Sequence, residues 1–337
     1  MSEATDILET LLEALQADKE VLREARARRD AVLAAAGTYQ GALRVFGSGS
    51  VAHLTVIRPV SDADCGVVLK GRSHPTLGPD GDGIGCRRIV DDVADHVAAV
   101  LAKNHPGAAV SIPGKRAILV QFQDPTGEDA EDPSVDLVVG LTRANARGLW
   151  IPNRWTDAWD ASDPEEHTRL FLEGEEALRR VRRRCVRLAK GWSRQFGSPP
   201  LCSFNIEALA HEAITGGSDL ATALQATFAY GAKTLAISET PDPAGVSPPI
   251  RVEDRSRAVA LLGAASDGLS KAIEATDGSK AHEALASVFF EYLENKNDMA
   301  QLLRVGGALT IGAVIGAAAA AAGPTVVKAI RSFGGDS

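Results

Sequence analysis

Three aspartates in two short apolar segments are the residues of this chain whose type and spacing best suit chemistry. Asp62 and Asp64 begin the segment DADCGVVL, and Asp136 is the acid of the segment SVDLVVG. Residues i and i+2 of a strand point to the same face, so Asp62 and Asp64 are expected to project together. Two carboxylates held that close are unfavourable without a cation, and a lone carboxylate in an apolar strand is costly unless it is paired or binds metal.

All three carboxylates would converge if the two strands were neighbours in a sheet. Carboxylate oxygens are the ligands that Mg²⁺ prefers, and substrate phosphates commonly complete its coordination. The three aspartates therefore predict a site for two Mg²⁺ (or Mn²⁺) ions that catalyses phosphoryl or nucleotidyl transfer. In this prediction Asp62 and Asp64 hold the ion on the triphosphate, and Asp136 joins them around the ion that activates the attacking hydroxyl.

A glycine-serine turn precedes the first two aspartates. Gly49 lies thirteen residues before Asp62 and is followed by Ser50. Glycine lets the backbone approach a ligand closely, and the exposed N–H groups of a turn can hold phosphate oxygens. The preceding pair, Gly47 and Ser48, leaves the register of this turn open by two residues.

This pattern resembles the bacterial cGAS/DncV-like nucleotidyltransferases, a branch of the polymerase-beta-like superfamily that makes dinucleotide or oligonucleotide second messengers. The motif residues are Gly49, Ser50, Thr55, Ser61, Asp62 and Asp64. The segment SVDLVVG is similar to the strand that carries the family's third aspartate. The family spacing favours Gly49-Ser50 as the turn, whereas Leu54 departs from the motif because the family usually has glycine there.

Two later segments are similar to the family's nucleotide-binding helices. Lys190 in RLAKGW matches the lysine of the family's Leu-Lys-x-Trp helix, which contacts the donor triphosphate. Ser203 in LCSFNIE matches a serine at the start of the next helix, which also reaches the phosphates. The resemblance therefore implies that Lys190 and Ser203, together with Gly49 and Ser50, bind nucleotide. Without the resemblance, Lys190 is interpreted as a surface lysine.

Arginines crowd the helix that carries Lys190. Six of them lie between Arg179 and Arg187. They could steer nucleotides towards a triphosphate, or they could pair with Glu173, Glu175 and Glu176 one turn earlier. The sequence leaves both interpretations open.

The chain divides into an α+β part and an all-helical part. Leucine spacing, with a six-residue step from Leu15 to Val21, predicts one long helix over residues 5–36. Apolar runs and helical segments then alternate as in a mixed sheet, and from Pro164 onwards the pattern is helical. With the resemblance, this pattern implies a palm-like nucleotidyltransferase core with its N-terminal helix at 1–160, an OAS/PAP-like helical substrate-binding domain at 161–303, and an Ala/Gly-rich tail at 304–337.

Composition limits what the chain can be. Its 337 residues are 45% hydrophobic and 24% charged with a net charge of -8, so the surface as a whole does not attract nucleic acid. The four cysteines lack the spacing of a zinc site and the density of a disulfide framework. The acidic N-terminus has no apolar signal-peptide core, and a cytoplasmic protein is expected.

The uncharged stretch from Val305 to Val327 is long enough to span a membrane. Its many alanines and glycines make insertion marginal. The sequence leaves two interpretations open. One is a tether to the inner face of the membrane or a self-association helix, and the other is a helix docked on the domain.

The resemblance implies a synthase that joins NTPs into a cyclic di- or oligonucleotide second messenger. Such enzymes often serve anti-phage (CBASS-type) signalling, in which the nucleotide product activates an effector protein. No counterpart of the zinc insert of animal cyclic GMP-AMP synthases is present, so double-stranded DNA is not expected to be required. Two alternatives remain: a nucleotidyltransferase acting on an RNA 3′ end, a protein or a small molecule, and a catalytically inactive membrane-tethered adaptor.

Overall fold

A mixed sheet of seven strands organises the first half of the computed structural model, which describes residues 2–79, 81 and 85–293. Its strands are β1 (Ala42–Ser48), β2 (Asp62–Leu69), β3 (Ala109–Ser111), β4 (Ala117–Gln121), β5 (Ser134–Thr142), β6 (Leu149–Asn153) and β7 (Ala158–Ser162). Their order is β1-β2-β5-β4-β3, while β6 pairs with β5 and β7 pairs with β6. β2 and β5 run parallel, and the other pairs are antiparallel.

Helices flank this sheet in the chain and dominate after it. They are α1 (Glu3–Ala14), α2 (Lys19–Gly37), α3 (Gly49–His53), α4 (Arg87–Leu101), α5 (Pro164–Leu172), α6 (Glu176–Arg194), α7 (Ser203–Ala213), α8 (Leu220–Ile237), α9 (Arg255–Glu274), α10 (Gly278–Val288) and α11 (Phe290–Leu293), with a 3₁₀ turn at Gly71–Ser73. The predicted α+β fold, a mixed sheet followed by an all-helical part, is confirmed.

One face of the sheet is covered by α2 and α4. Alternate residues of the two central strands, such as Cys65, Val67, Leu137 and Val139, are fully buried there against apolar residues of both helices. Because side chains alternate between the two faces of a strand, the residues between them point to the opposite face. The helix-covered core therefore fixes the face on which the acidic residues of β2 and β5 lie.

The prediction of one helix over residues 5–36 is wrong, because the segment forms two helices. The Asp18 carboxylate accepts hydrogen bonds from the backbone N–H groups of Glu20 (2.7 Å) and Val21 (3.0 Å), which starts α2 anew. An aspartate at this position satisfies N–H groups that have no partner within the helix. The six-residue step from Leu15 to Val21 is the sequence signal of this break.

The described chain forms two compact units. One contains residues 17–172 and 242–248, and therefore the whole sheet. The other contains α1 and α6 to α11. The predicted boundary after residue 160 assigns α5 to the helical part, whereas the compact unit of the sheet continues to Leu172. Within the helical unit, α1 is held by Glu9, which pairs with Arg184, and by Thr5, whose hydroxyl donates to Asp219 (3.0 Å).

Among the helices of the described residues, none is long and apolar enough to cross a membrane. The stretch 305–327 and the tail 304–337 lie outside the described residues.

Candidate functional site

The three predicted aspartates lie on the two parallel strands at the centre of the sheet. Asp64 on β2 is the register partner of Asp136 on β5, and Asp62 is the partner of Ser134. Register partners on adjacent strands point to the same face, so all three carboxylates share the face opposite α2 and α4. The structure therefore brings together backbones that are far apart in the sequence.

Burial and charge distinguish the three acids. Asp64 and Asp136 are only 4% and 3% exposed, whereas Asp62 at the start of β2 is partly exposed. Cys65 follows Asp64 on β2 and points to the opposite, helix-covered face. Burial raises the pKa of the Cys65 thiol well above its usual range, and the charges of Asp64 and Asp136 raise it further. This thiol is therefore a protonated core group.

The glycine-serine turn lies directly against Asp64. Gly49 begins α3 with a φ of +66°, and a Cβ atom at Gly49 would overlap the Asp64 carboxylate. Gly47 and Ser48 are instead the last residues of β1, where Ser48 is the register partner of Asp64. The open register is thus resolved geometrically, because the chain turns at Gly49 and Ser50 and needs glycine at the first of them.

Sequence analysis names Ser48 only as part of the alternative turn and assigns it no binding role. Its side chain is 2% exposed, and its hydroxyl has no hydrogen-bond partner within the described part of the chain. A buried hydroxyl without a partner is uncommon and marks either a strained or a ligand-directed group. Its place in the alternative pair Gly47-Ser48, directly before the turn, is the sequence signal that points to it.

The donor set fits a hard divalent cation, but the side chains do not form a closed cage. Across residues 2–79, 81 and 85–293, no three carboxylate, histidine or cysteine side chains are gathered closely enough to hold a metal ion. Asp62, Asp64 and Asp136 share a face and a register without yet meeting at one point. Carboxylate oxygens alone favour Mg²⁺ or Mn²⁺ over softer metals.

Lys190 and Ser203 belong to the helical unit, whereas the aspartates belong to the sheet unit. Lys190 is 3% exposed, and its Nζ donates to Oε1 of Glu207 at 2.7 Å. The interpretation of Lys190 as a surface lysine is therefore wrong. Ser203 is the first residue of α7, one turn before Glu207, so the pair links the two segments that carry the resemblance.

The arginines of α6 are partly neutralised by acids. Glu176 accepts hydrogen bonds from Arg179 (2.6 Å) and Arg183 (2.7 Å), and Arg184 pairs with Glu9 of α1. The proposed pairing with an acid one turn earlier is thus present for Glu176. Burial lowers the pKa of the Arg187 guanidinium, and the neighbouring charges of Arg183 and Arg184 lower it further.

The similarity of this chain to known proteins lies in its three-dimensional structure. No protein-family model and no curated protein matches the chain. Among solved structures, the complex of CdnC with HORMA-deltaN from E. coli MS115-1 has a TM-score of 0.57 at 19% identity, over 81% of this chain and 91% of CdnC. CdnC with ATP has a TM-score of 0.54 at 18% identity, over 81% of this chain and 92% of CdnC.

A second protein with the same fold is the cyclic AMP-GMP synthase DncV of Vibrio cholerae, solved in complex with nonhydrolyzable GTP. Its TM-score is 0.53 at 18% identity, over 75% of this chain and 70% of DncV. DncV is also described as a prokaryotic cGAS homolog. At the level of the fold, the resemblance to the bacterial cGAS/DncV-like nucleotidyltransferases is therefore confirmed.

Proposed function

We propose that this protein is a nucleotidyltransferase that joins NTPs into a cyclic di- or oligonucleotide. The observation that carries the proposal is the parallel register of β2 and β5, which pairs Asp64 with Asp136 on one face with Asp62 beside them. The fold shared with CdnC and with the cyclic AMP-GMP synthase DncV supports it. The same aspartates could serve other acceptors, so the acceptor is the part that needs an experiment.

The reaction is attack of a ribose hydroxyl on the α-phosphate of an NTP, with pyrophosphate as the leaving group. Asp62, Asp64 and Asp136 would hold two Mg²⁺ or Mn²⁺ ions, which supply charge neutralisation of the phosphates and activation of the hydroxyl. Because Gly49 has no side chain, the turn lies directly against the Asp64 carboxylate, where its backbone N–H groups can approach phosphate oxygens.

Lys190 and Ser203 are proposed as contacts of the donor triphosphate. The side-chain amine of Lys190 donates a hydrogen bond from Nζ to Oε1 of Glu207 (2.7 Å), which orients the amine. A buried, oriented ammonium contributes more to binding of a phosphate than a mobile surface lysine, because less side-chain entropy is lost. Ser203 stands at the N-terminal end of α7, where backbone N–H groups favour an anion.

The signalling context follows from the same proposal. The product would activate an effector protein in anti-phage (CBASS-type) defence, and the enzyme would act in the cytoplasm, with or without a tether through 305–327. CdnC has been solved in complex with HORMA-deltaN. A protein partner of that kind is a reasonable target for a pull-down with this chain.

The test is incubation of the purified full chain with labelled NTPs and Mg²⁺ but no added acceptor. We expect a phosphatase-resistant product, its loss with EDTA, and its recovery when Mg²⁺ or Mn²⁺ is restored. The Asp62→Asn, Asp64→Asn double variant should abolish turnover. Asp129→Asn is the matched control, since this exposed acid forms a surface ion pair with Arg58 (2.7 Å).

Each other outcome has a definite meaning. Product that forms only after RNA, protein or a small molecule is added would replace the synthase by a nucleotidyltransferase with another acceptor. No transfer under any of these conditions would favour the inactive adaptor. Full activity in the double variant would remove the metal assignment.

A further inference from the structure

Trp155 is an aromatic side chain that the proposed function does not use. It lies in the turn of the β6–β7 hairpin and is 55% exposed, whereas Trp150, Trp159 and Trp192 are partly or fully buried. A large, rigid aromatic surface left in water is a common feature of binding sites, because a ligand that covers it gains apolar burial at little entropic cost.

The backbone around Trp155 is firmly fixed. Arg87 at the start of α4 donates from Nε to the carbonyl oxygen of Arg154 (2.8 Å) and from Nη2 to that of Trp155 (3.4 Å). The backbone N–H of Arg87 donates to the Asp157 carboxylate (3.0 Å), and the N–H of Arg154 donates to the carbonyl of Lys115 (2.9 Å). The hairpin turn is thus held to α4 and to the β3–β4 turn, so the ring is presented in a defined position.

One cation lies over the Trp155 ring, and a second, Arg87, contacts the backbone of the same turn. Nζ of Lys115 lies 5.9 Å from the centre of the Trp155 ring. Within the described residues, neither the Lys115 ammonium nor the Arg87 guanidinium has a carboxylate at ion-pair distance. The nearby acid Asp91 pairs instead with Arg154 (2.6 Å). An exposed aromatic with positive groups close by in the same turn is an arrangement that can stack a nucleobase and receive a phosphate.

A small cavity adjoins this surface. It has a volume of about 240 Å³, lies between α4 and β3, and is lined by Asp91, Asp95, Ser111 and small apolar side chains. Asp91 joins it to the hairpin through its bond with Arg154. Asp91 and Asp95 are one helical turn apart and would repel a continuing phosphate chain. The surroundings therefore suit a single nucleotide better than a nucleic-acid strand.

We propose that this surface is a second, metal-independent nucleotide site that binds a nucleoside monophosphate, with the base stacked on Trp155 and the phosphate between Lys115 and Arg87. The site shares no residue with the proposed active site. If AMP does not bind at this surface, the proposed catalytic function is unaffected. If the chain does not join NTPs, the proposed AMP site is likewise unaffected.

The experiment is a calorimetric titration of the full chain with AMP in the presence of EDTA, accompanied by tryptophan fluorescence. We expect one site per chain and quenching of fluorescence on binding. Trp155→Ala should weaken binding by about 5- to 100-fold, the range of losses seen when a stacking aromatic is removed. Lys115→Gln should weaken it too and reduce its salt dependence.

Two matched controls test specificity. Ile237→Ala removes another exposed apolar side chain, and Lys103→Gln removes another exposed lysine, and neither should change AMP affinity. Unchanged affinity in Trp155→Ala, or no binding of AMP in EDTA, would overturn the site. A Trp155-dependent binding of anionic vesicles or of an oligoadenylate strand, with none of AMP, would also overturn it and assign the surface to a membrane or a strand.

Discussion

At the scale of single residues, the site is most tightly constrained where the backbone meets a carboxylate. Gly49 has a φ of +66°, and its α-carbon leaves no room for a side chain beside Asp64. Gly245 has almost the same φ, +65°, but open space around it. The two glycines therefore separate the cost of backbone conformation from the cost of crowding the carboxylate.

We predict that Gly49→Ala abolishes product formation, whereas Gly245→Ala does not. Gly245→Ala should cost about 1–2 kcal/mol of stability, because alanine is strained at a positive φ, and Gly49→Ala should cost more because its Cβ also overlaps the Asp64 carboxylate. Only Gly49→Ala also displaces Asp64. Product formation and thermal unfolding should be measured on both variants, and equal loss of activity in both would contradict the role of Gly49.

A second residue-scale feature is the buried pair of Lys190 and Glu207, whose side chains are 4% and 6% exposed. Removal of one member of such a pair leaves a buried charge without its partner, which typically costs about 3–5 kcal/mol. Replacement of both by apolar residues removes the two charges together.

We therefore predict that Lys190→Met and Glu207→Leu are each strongly destabilising, and that the double variant recovers much of the loss in urea unfolding. Lys280→Met, which removes an exposed lysine 3.5 Å from Asp277, is the control and should change little. Additive losses in the double variant would show that the two residues act independently. The double variant should still fail to bind NTP if Lys190 contacts the triphosphate.

At the scale of elements, α5 is fastened to the loop 242–248 by a buried contact. Nε2 of His167 lies 2.5 Å from Oδ1 of Asp242, and the other carboxylate oxygen accepts from the N–H groups of Val246 (2.9 Å) and Ser247 (2.7 Å). Burial alone would raise the pKa of Asp242, but these hydrogen bonds outweigh it and hold the pKa well below its ordinary value of 3.8.

This depressed pKa predicts an acid-sensitive contribution to stability. A carboxyl whose pKa is lower in the folded state stabilises the fold above its unfolded pKa, and the contribution is lost as pH falls through the folded pKa. Asp242→Asn should therefore be less stable than the parent at neutral pH and show a flatter decline below about pH 4. Urea unfolding across this range checks it, with Asp129→Asn as the exposed control. Parallel pH profiles of Asp242→Asn and the parent would contradict the prediction.

At the scale of the whole molecule, the tail 304–337 is predicted to be dispensable for chemistry. All the residues that we propose for catalysis and nucleotide binding lie within the described residues. The predicted helical substrate-binding domain ends at residue 303, directly before the tail. We expect a 1–303 truncation to retain product formation. Cell fractionation of the full chain beside the truncation tests the tether, and identical fractionation of both would end that hypothesis. Loss of product on truncation would instead give the tail a catalytic role.

The sequence alone was enough to predict the class of fold and the residues that we propose for the chemistry. Alternation in DADCGVVL placed Asp62 and Asp64 on one face of a strand, and helical periodicity predicted the helical part that follows the sheet. These features depend on local backbone geometry and on which side chains are buried, so the pattern of apolar residues in a short segment predicts them. The prediction from periodicity failed at the break before α2, where the Asp18 carboxylate caps the start of a new helix.

Only the tertiary structure decided which distant residues meet. The pairing of Asp64 with Asp136 depends on the register of two strands far apart in the sequence. Fully buried Arg28 contributes to holding the loop before β5, pairing with Asp132 (2.5 Å) and donating to the carbonyl of Pro133 (2.8 Å). Glu207 beside Lys190 is a contact of the same kind. Such contacts are chosen by the packing and charge balance of the folded chain, and no local pattern encodes them.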